Sequence, residues 1–472
     1  MLKRSIWNKL LSWKNSPHHP LILAGLRQTG KTYIVREFGK ENYENVVYLD
    51  MRKEVRFHSI FEGDFDIDTM VTAITANEPS AHFVPGKTLL ILDEIQDCPD
   101  ARSSLKYWDI DGRYDVIATG SFLGVRGFRT PYKRGIPVGY EQRLEMYPLS
   151  FAEFLENAGM QQSVVDYVKQ CFKDDTPVMK PVHERIRALY YQYIVVGGMP
   201  DAVNTFFETH DMNQVKKVQR QIIDSIRDDF GRYMTENGET KINETLKLRA
   251  EACLDSVPEQ LSREYKKFKY SEVDVKGHST EKADGLWYIA DVGLVLLSYN
   301  LREISAPLEA QKLEKEFKVF YADTGLLVSQ LDDGTAAKVL EGDLSAYKGA
   351  IAENTVACAF TAAGIPLYYY RAKSGSPELD FVFSNQGVPT LVECKSSRTS
   401  ATSLKFVLTH PSRFGSHPAV KYADTNVGGG DGFSTYPLYA LGFLENESDD
   451  SFVVPEVDIG NLADIISDRK NK

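Results

Sequence analysis

The stretch Gly25-Leu26-Arg27-Gln28-Thr29-Gly30-Lys31-Thr32, GLRQTGKT, decides the fold. It follows the apolar run Pro20-Leu21-Ile22-Leu23-Ala24 and leads into YIVREFGK, so the surroundings read strand, glycine loop, helix, the context that a Walker A phosphate loop requires. Glycine at 25 and 30 lets the backbone close around a phosphate chain, where a Cβ would obstruct a positive φ or the close approach. The amides of the eight residues then point inward, at the positive end of the following helix. Lys31 is expected to reach the β- and γ-phosphates of ATP as a mobile point charge, and the Thr32 hydroxyl to complete the coordination of a bridging Mg²⁺. The plainer alternative is a glycine turn between two core elements.

A second strand, NVVYLDM, follows the loop helix, and a third is TLLILDEIQD, Thr88 to Asp97. Apolar residues ahead of paired carboxylates form the Walker B pattern, a strand buried on both faces that delivers its acids to the carboxyl edge of a parallel sheet. Asp93 is expected to hold Mg²⁺ through water, and Glu94 to orient and polarise the water that attacks the γ-phosphate. A solvated sheet edge would give the same two letters. A fourth strand, YDVIATGS, ends in Thr119, Gly120 and Ser121, where a hydroxyl of Thr119 or Ser121 can sense the γ-phosphate from the side; the alternative is a strand running into a turn. RLEMYPLSF reads as the fifth strand, and Ser5 as the cap of a short helix whose Ile6, Leu10 and Trp13 cover the sheet.

The chain has 472 residues, room for about three domains. Its net charge of −11 supplies no global basic field, so a nucleic-acid contact needs a local patch. Five dispersed cysteines without a CxxC pair argue against structural zinc and for a reducing compartment. No stretch approaches twenty apolar residues and the N-terminus lacks a signal-peptide pattern, so a cytoplasmic protein with no membrane partner is expected.

GLRQTGKT, LLILDEIQ, IATGS and YPLSFAEFL occur in this order in bacterial and archaeal AAA-type ATPases whose C-terminal half carries a domain of unsettled function, and the chain resembles that family. YIVVGGMPDAV (Tyr193 to Val203) and VFYADTGLL (Val319 to Leu327) extend the resemblance over nearly the whole length. The Walker motifs are widely shared, whereas PLSF, GGMP and DTGLL together are specific. Many members carry a Gly-Arg pair shortly before PLSF, a candidate arginine finger; here Tyr140 follows Gly139. The charge would then come from Arg143 or from Arg126, Arg129, Lys133 or Arg134, in a loop that reads equally well as a solvated basic surface. Such a finger is worth about 10³ to 10⁵ in rate, so its loss leaves a slow switch rather than a fast motor and weakens the inference that an oligomer neighbour supplies it.

From Phe151 to Tyr233 the periodicity is helical, with faces such as Ile186, Leu189, Tyr190 and Tyr193, and Val215, Val218, Ile222, Ile226 and Phe230. In the family this is a lid over the nucleotide, broken at Gly197-Gly198-Met199-Pro200; Arg227 and Arg232 near its end can act on phosphate or be merely solvated. Helices are expected around LKLRAEACL, EQLSREYKKF and EKADGLWYIAD, and the family resemblance implies a winged-helix arrangement. That arrangement is either a passive connector or a DNA reader with Lys276, His278 and Lys282 near the contact; Glu272, Asp274, Glu281 and Asp284 dilute the charge and favour the connector.

A second chemical candidate lies between Gly349 and Ser397. GAIAENTVACAFTAAG reads as a helix, followed by strands LYYYR, ELDFVFS and TLVECKSS. Alternation places Leu379, Phe381 and Phe383 on one face with Asp380 on the other, and Glu393 and Lys395 together with Val392 and Cys394 opposite. Two carboxylates on neighbouring strands, Asp380 and Glu393, can hold a divalent cation, and Lys395 beside them can activate water or stabilise a phosphorane-like charge. The series Glu353, Asp380, Glu393-Cys394-Lys395 resembles the PD-(D/E)XK nucleases, with Leu379-Asp380 in place of Pro-Asp; ion pairs on an exposed sheet face would look identical. PAVKYADT and YPLYALGFL read as further strands with GGGDG in a loop between them.

The expected fold is therefore α/β: an AAA-type P-loop domain with a parallel sheet over residues 1–155, a helical lid over 156–240, a winged-helix-like connector over 241–310, a restriction-endonuclease-like α/β domain over 311–450 and an acidic tail over 451–472. The expected function is ATP hydrolysis with Mg²⁺, coupled to DNA through a metal-dependent nuclease-like domain that takes a second Mg²⁺ or Mn²⁺. The alternative is an ATP switch whose C-terminal domain binds a protein partner or nucleic acid without cleaving it.

Overall fold

The computed structural model describes residues 2–122, 139–234, 240–344, 346–396 and 401–444. The expected acidic tail and the basic-loop candidates Arg126, Arg129, Lys133 and Arg134 lie outside them.

The N-terminal sheet has the order β2-β3-β4-β1-β5 and is wholly parallel: β1 Leu21–Gly25, β2 Asn45–Asp50, β3 Thr88–Asp93, β4 Asp115–Ser121 and β5 Gln142–Met146. β1 and β3 are buried throughout, as strands covered on both faces must be. Leu21, Leu23, Leu89 and Ile91 face the N-terminal helix Ile6–Lys14 and the loop helix Lys31–Asn42, while Ile22, Ala24, Leu90 and Leu92 face the main core. Ile6, Leu10 and Trp13 do cover the sheet, but Ser5 does not cap its helix. Its hydroxyl donates instead to Glu153 Oε1 at 2.8 Å, because Glu153 already stands there in a capping box with Ser150. That box starts a helix at Phe151, so β5 ends at Met146 rather than running through PLSF.

Five helices follow, Phe151–Asn157, Gln162–Lys173, Lys180–Val196, Pro200–Thr209 and Met212–Arg227. The last lays Val215, Ile222 and Ile226 into the core. After the hairpin β6 Arg232–Met234 and β7 Thr240–Ile242 come the helices Glu244–Leu261 and Ser279–Asp291, packed on each other, with SREYKKF between them a bend and bridge rather than helical. Lys267 bridges Lys318, and Phe268 N–H donates to Phe317 O, so this segment lies along β9.

The second sheet has the order β14-β15-β13-β12-β11-β10-β8-β9. It comprises β8 Val295–Leu301, β9 Lys312–Tyr321, β10 Tyr368–Arg371, β11 Glu378–Asn385, β12 Val388–Lys395, β13 Ala419–Ala423, β14 Gly428–Gly430 and β15 Phe433–Pro437. β8 and β9 pair antiparallel, and β8 continues into the C-terminal sheet through β10. The expected boundary at 310/311 thus falls inside a hairpin. GGGDG is strand and turn rather than loop, since β14 pairs with β15, and YPLYALGFL divides into the end of β15 and a 3₁₀ turn over Leu438–Phe443.

The register of β10 with β11 slips by one residue between Tyr368↔Val382 and Tyr370↔Leu379. This bulge breaks the expected alternation: Leu379 and Val382 join the cluster of Leu391, Leu404 and Val407, whereas Phe381 packs into the main core.

Candidate functional site

The phosphate loop joins β1 to the helix Lys31–Asn42. Gly30 caps that helix at φ +89°, a conformation that favours glycine, and Gly25 is required by close packing, since a Cβ there would stand 2.3 Å from Met146 O on β5. Lys31 is buried, and its ammonium donates to Gly25 O at 3.0 Å and Leu26 O at 2.9 Å, folded across the loop. Burial pulls its pKa down to about 8, against the raising effect of Glu94 and Asp93. A buried ammonium with only carbonyls for partners suits an incoming phosphate chain, and the loop therefore fits a nucleotide.

Asp93, at the end of β3, gathers three hydroxyls. Thr32 Oγ1 donates to Oδ1 at 3.0 Å, Tyr48 OH to Oδ2 at 2.6 Å, and Thr119 Oγ1 also donates to Oδ1. Thr119 in turn accepts the Glu94 amide at 3.3 Å, which puts it between the two acids. Thr32 and Asp93 are the hard-oxygen donor pair that suits Mg²⁺. Ser121 stands opposite Gly25 in the β1–β4 register. Glu94 has φ +53°, and burial raises its pKa while Arg52 and Lys31 hold it down. Arg52 Nη2 lies 3.3 Å from Glu94 Oε2, and Gln96 Nε2 donates to the same oxygen.

Arg27 and Gln28 of the loop turn outward to other elements. Arg27 pairs with Asp229, and Gln28 Nε2 donates to Ser225 Oγ at 3.2 Å, so the end of the helix Met212–Arg227 rests on the loop. Leu26 and Thr29 are buried; Thr29 Oγ1 donates to Leu26 O, and its carbonyl accepts Arg4 Nη1 at 3.0 Å. Arg227 pairs with Asp255, and Arg232 pairs with Asp229, the acid that Arg27 of the loop also takes. Arg143 sits opposite Ile22, toward the amino end of the sheet, and pairs with Glu141.

Sequence reasoning missed Tyr48, Arg52 and Arg4. The first two follow from pairing, since β2 runs beside β3 with Asp50 opposite Asp93.

In the C-terminal half the four expected residues converge. Lys395 Nζ lies 2.6 Å from Glu393 Oε1 and 3.9 Å from Asp380 Oδ2, and the Cys394 amide donates to Asp380 Oδ2 at 2.8 Å. Burial raises the pKa of both Asp380 and Glu393, the latter to about 7, with the Asp380 charge adding to it. Glu393 Oε2 is buried without a hydrogen-bond partner. Glu353 differs: burial pushes it up, but Lys266 and Lys318 outweigh that and hold it below its ordinary range. Lys266 pairs with Glu353 Oε1, and Lys318 Nζ lies 3.5 Å from Oε2 and 2.9 Å from Glu378 Oε1. Among the described residues no three or more His, Cys, Asp or Glu side chains are grouped so as to hold a metal ion.

The expected DNA contact of the connector is altered at one residue. Lys282 is buried, and its ammonium donates to Val273 O at 2.8 Å and Tyr270 O at 3.2 Å. Among the described residues no helix is long and apolar enough to cross a membrane.

Three family models match the chain: an AAA domain over residues 17–155, a domain of unknown function (DUF8612) over 187–337 and a domain of unknown function (DUF4143) over 348–440. Comparison with curated proteins finds no match. Solved structures align loosely. A Walker-type ATPase of Pyrococcus abyssi is 12% identical over 70% of this chain and 96% of that one, with a TM-score of 0.40. The ORC2 protein of Aeropyrum pernix is 13% identical over 71% and 89%, with a TM-score of 0.33. The RuvB Holliday junction branch migration motor of Thermotoga maritima is 16% identical over 52% and 75%, with a TM-score of 0.28. On a parallel sheet that carries both Walker motifs at its carboxyl edge, residues 17–155 of this chain match an AAA domain.

Proposed function

We propose that the chain hydrolyses ATP at the β1 loop and uses the cycle as a switch on its C-terminal half. The observation that supports this best is the cluster around Asp93, which brings Thr32, Thr119 and the Glu94 amide to one strand end beside Lys31. The loop amides from Leu26 to Thr32 hold the phosphates, and Lys31 neutralises the β- and γ-phosphate charge. Thr32 and Asp93 would hold Mg²⁺, which when bound offsets charge on the transferring phosphoryl group. Glu94 orients the attacking water, Thr119 reports occupancy of the γ position to both acids, and Ser121 lies at the same edge. Arg27 and Gln28 couple the loop to the lid through Asp229 and Ser225.

Phosphate release by wild type, Lys31→Ala and Glu94→Gln tests this. Lys31→Ala is expected to lose nucleotide binding, and Glu94→Gln to bind nucleotide with turnover reduced about 10²- to 10⁴-fold. Unchanged release in Glu94→Gln would overturn the assignment of the base.

A second reading concerns what the switch controls. Asp380, Glu393 and Lys395 converge and Glu393 Oε2 is left unpartnered, which favours a C-terminal centre that takes a divalent cation and acts on DNA. Metal-dependent nicking of mixed DNA by wild type, lost in Asp380→Ala, is its expected result. Intact DNA with unimpaired ATP turnover would instead favour a C-terminal half that binds a partner without cleavage.

A further inference from the structure

The carboxylates of the C-terminal centre already face cations of the same chain. Glu353 faces Lys266 and Lys318; Glu378 faces Lys318 and, at 3.2 Å, Arg371; Asp380 and Glu393 face Lys395. Lys266 and Lys318 come from outside the family match that contains the carboxylates. Lys318 is a fixed part of β9, fully buried, with its ammonium 4.8 Å from the Tyr369 ring centroid. Lys266 is different. It sits on the extended segment between the helix Glu244–Leu261 and the 3₁₀ turn Tyr270–Glu272, pinned at one end by Phe268 in the core. At the other end is Tyr265, half exposed, whose ring lies on Arg371.

We propose that Lys266 is a tethered countercation: its ammonium closes the carboxylate centre, and a divalent cation enters only when the Lys266–Glu353 pair opens. This rests on the second reading above, that the centre is a cation site. A compact ammonium satisfies Glu353 as a monovalent charge and repels a second cation at short range, where burial leaves the repulsion poorly screened. Glu393 Oε2, buried and unpartnered, is the acceptor left waiting while the segment is down. Because the segment belongs to the module between the lid and the C-terminal sheet, any movement of that module bears directly on Lys266. Lys266 is thus a positioning residue, set by the connector and acting on the site of its neighbour.

Manganese binding to the full chain without nucleotide, followed by the loss of the free-ion electron paramagnetic resonance signal, tests the lock. Each variant is compared with its Asp380→Asn counterpart, so that ions held elsewhere cancel. Wild type and Lys266→Arg are expected to show no Asp380-dependent site, and Lys266→Gln to gain one at least tenfold tighter than any in wild type. Leaving Glu353 with a single buried partner can destabilise the chain, so the neutral pair Lys266→Met with Glu353→Gln is measured alongside, since removing both charges of a buried pair is tolerated better than removing one. It is expected to gain the same site through Asp380 and Glu393. An Asp380-dependent site already present in wild type would overturn the lock and leave the cation reading standing. No gain in either variant would end both.

Discussion

Glu94 can polarise water only as the carboxylate, and its environment pulls its pKa both ways. Burial raises it, and the Arg52 guanidinium is foremost among the groups that hold it down. Replacing Arg52 by Met removes a charge that favours the ionised form, so the Glu94 pKa must rise further. The acid limb of the pH–turnover profile of Arg52→Met is therefore expected to move to higher pH, with the plateau reached later than in wild type. A limb that stays in place would show that Arg52 does not act on Glu94. Lys31, Thr32, Asp93 and Glu94 were legible because phosphate chemistry fixes residue types at fixed spacing along one loop and one strand end. Arg52 and Tyr48 were not, because they reach the site through the lateral pairing of β2 with β3, which no local spacing encodes. Lys266 and Glu353 are 87 residues apart and meet only in three dimensions. Lys318 left a trace, a lone cation inside the apolar run of β9, and burial of that run forces it to find acids.

Among the elements, the three motifs PLSF, GGMP and DTGLL meet in a single joint. Leu149 N–H donates to Gly198 O at 2.7 Å, and Gly198 N–H donates to Asp323 Oδ2 at 2.6 Å. Asp323 also caps the helix Thr324–Gln330 by accepting Leu326 N–H. Burial raises the Asp323 pKa to about 6, against the backbone N–H donors that lower it. There is no room for side chains here: a Cβ on Gly198 would lie 2.2 Å from Leu149 O, and one on Gly325 2.5 Å from Gly197 N. Gly198→Ala is thus expected to cost about 1–3 kcal/mol, read as a lowered melting temperature. Gly63→Ala, where a Cβ meets nothing within 4 Å, should leave it unchanged. Equal melting of the two variants would refute the joint. The motifs stood out in the sequence, but their meeting did not, since backbone-to-backbone packing has no periodic signature. The bulge at Asp380 was hidden for a related reason: it depends on the partner strand, and alternation alone cannot show a slipped register.

At the scale of the whole molecule, one core among the described residues runs from the Walker strands through the helices Lys180–Val196 and Met212–Arg227 to the helix Ala350–Ala362 and β12. The central strands of the N-terminal sheet were readable because β1 and β3 are apolar on both faces, whereas the exposed edge strand β5 gave no such signal and ends earlier than its sequence suggested. The partition of the remainder was less so, because composition does not change where β8 and β9 join the C-terminal sheet. Arg187 further ties the helix Lys180–Val196 to Asp424 after β13. The hairpin that crosses residue 310 also governs how the gene can be cut. Leu301, Ile304 and Leu308 belong to the same cluster as Tyr368, Leu379 and Leu391, and β8 covers the flank of β10. A recombinant piece starting at 348 would keep β10 to β15 yet bare both that flank and that cluster, an invitation to edge-to-edge association. Expressed alone, residues 348–444 are expected to elute as aggregate in size-exclusion chromatography, whereas the full chain, which keeps both covered, should elute as a discrete species. The hairpin thus makes the smallest unit of the C-terminal half that keeps its edge covered longer than the family match that begins at residue 348.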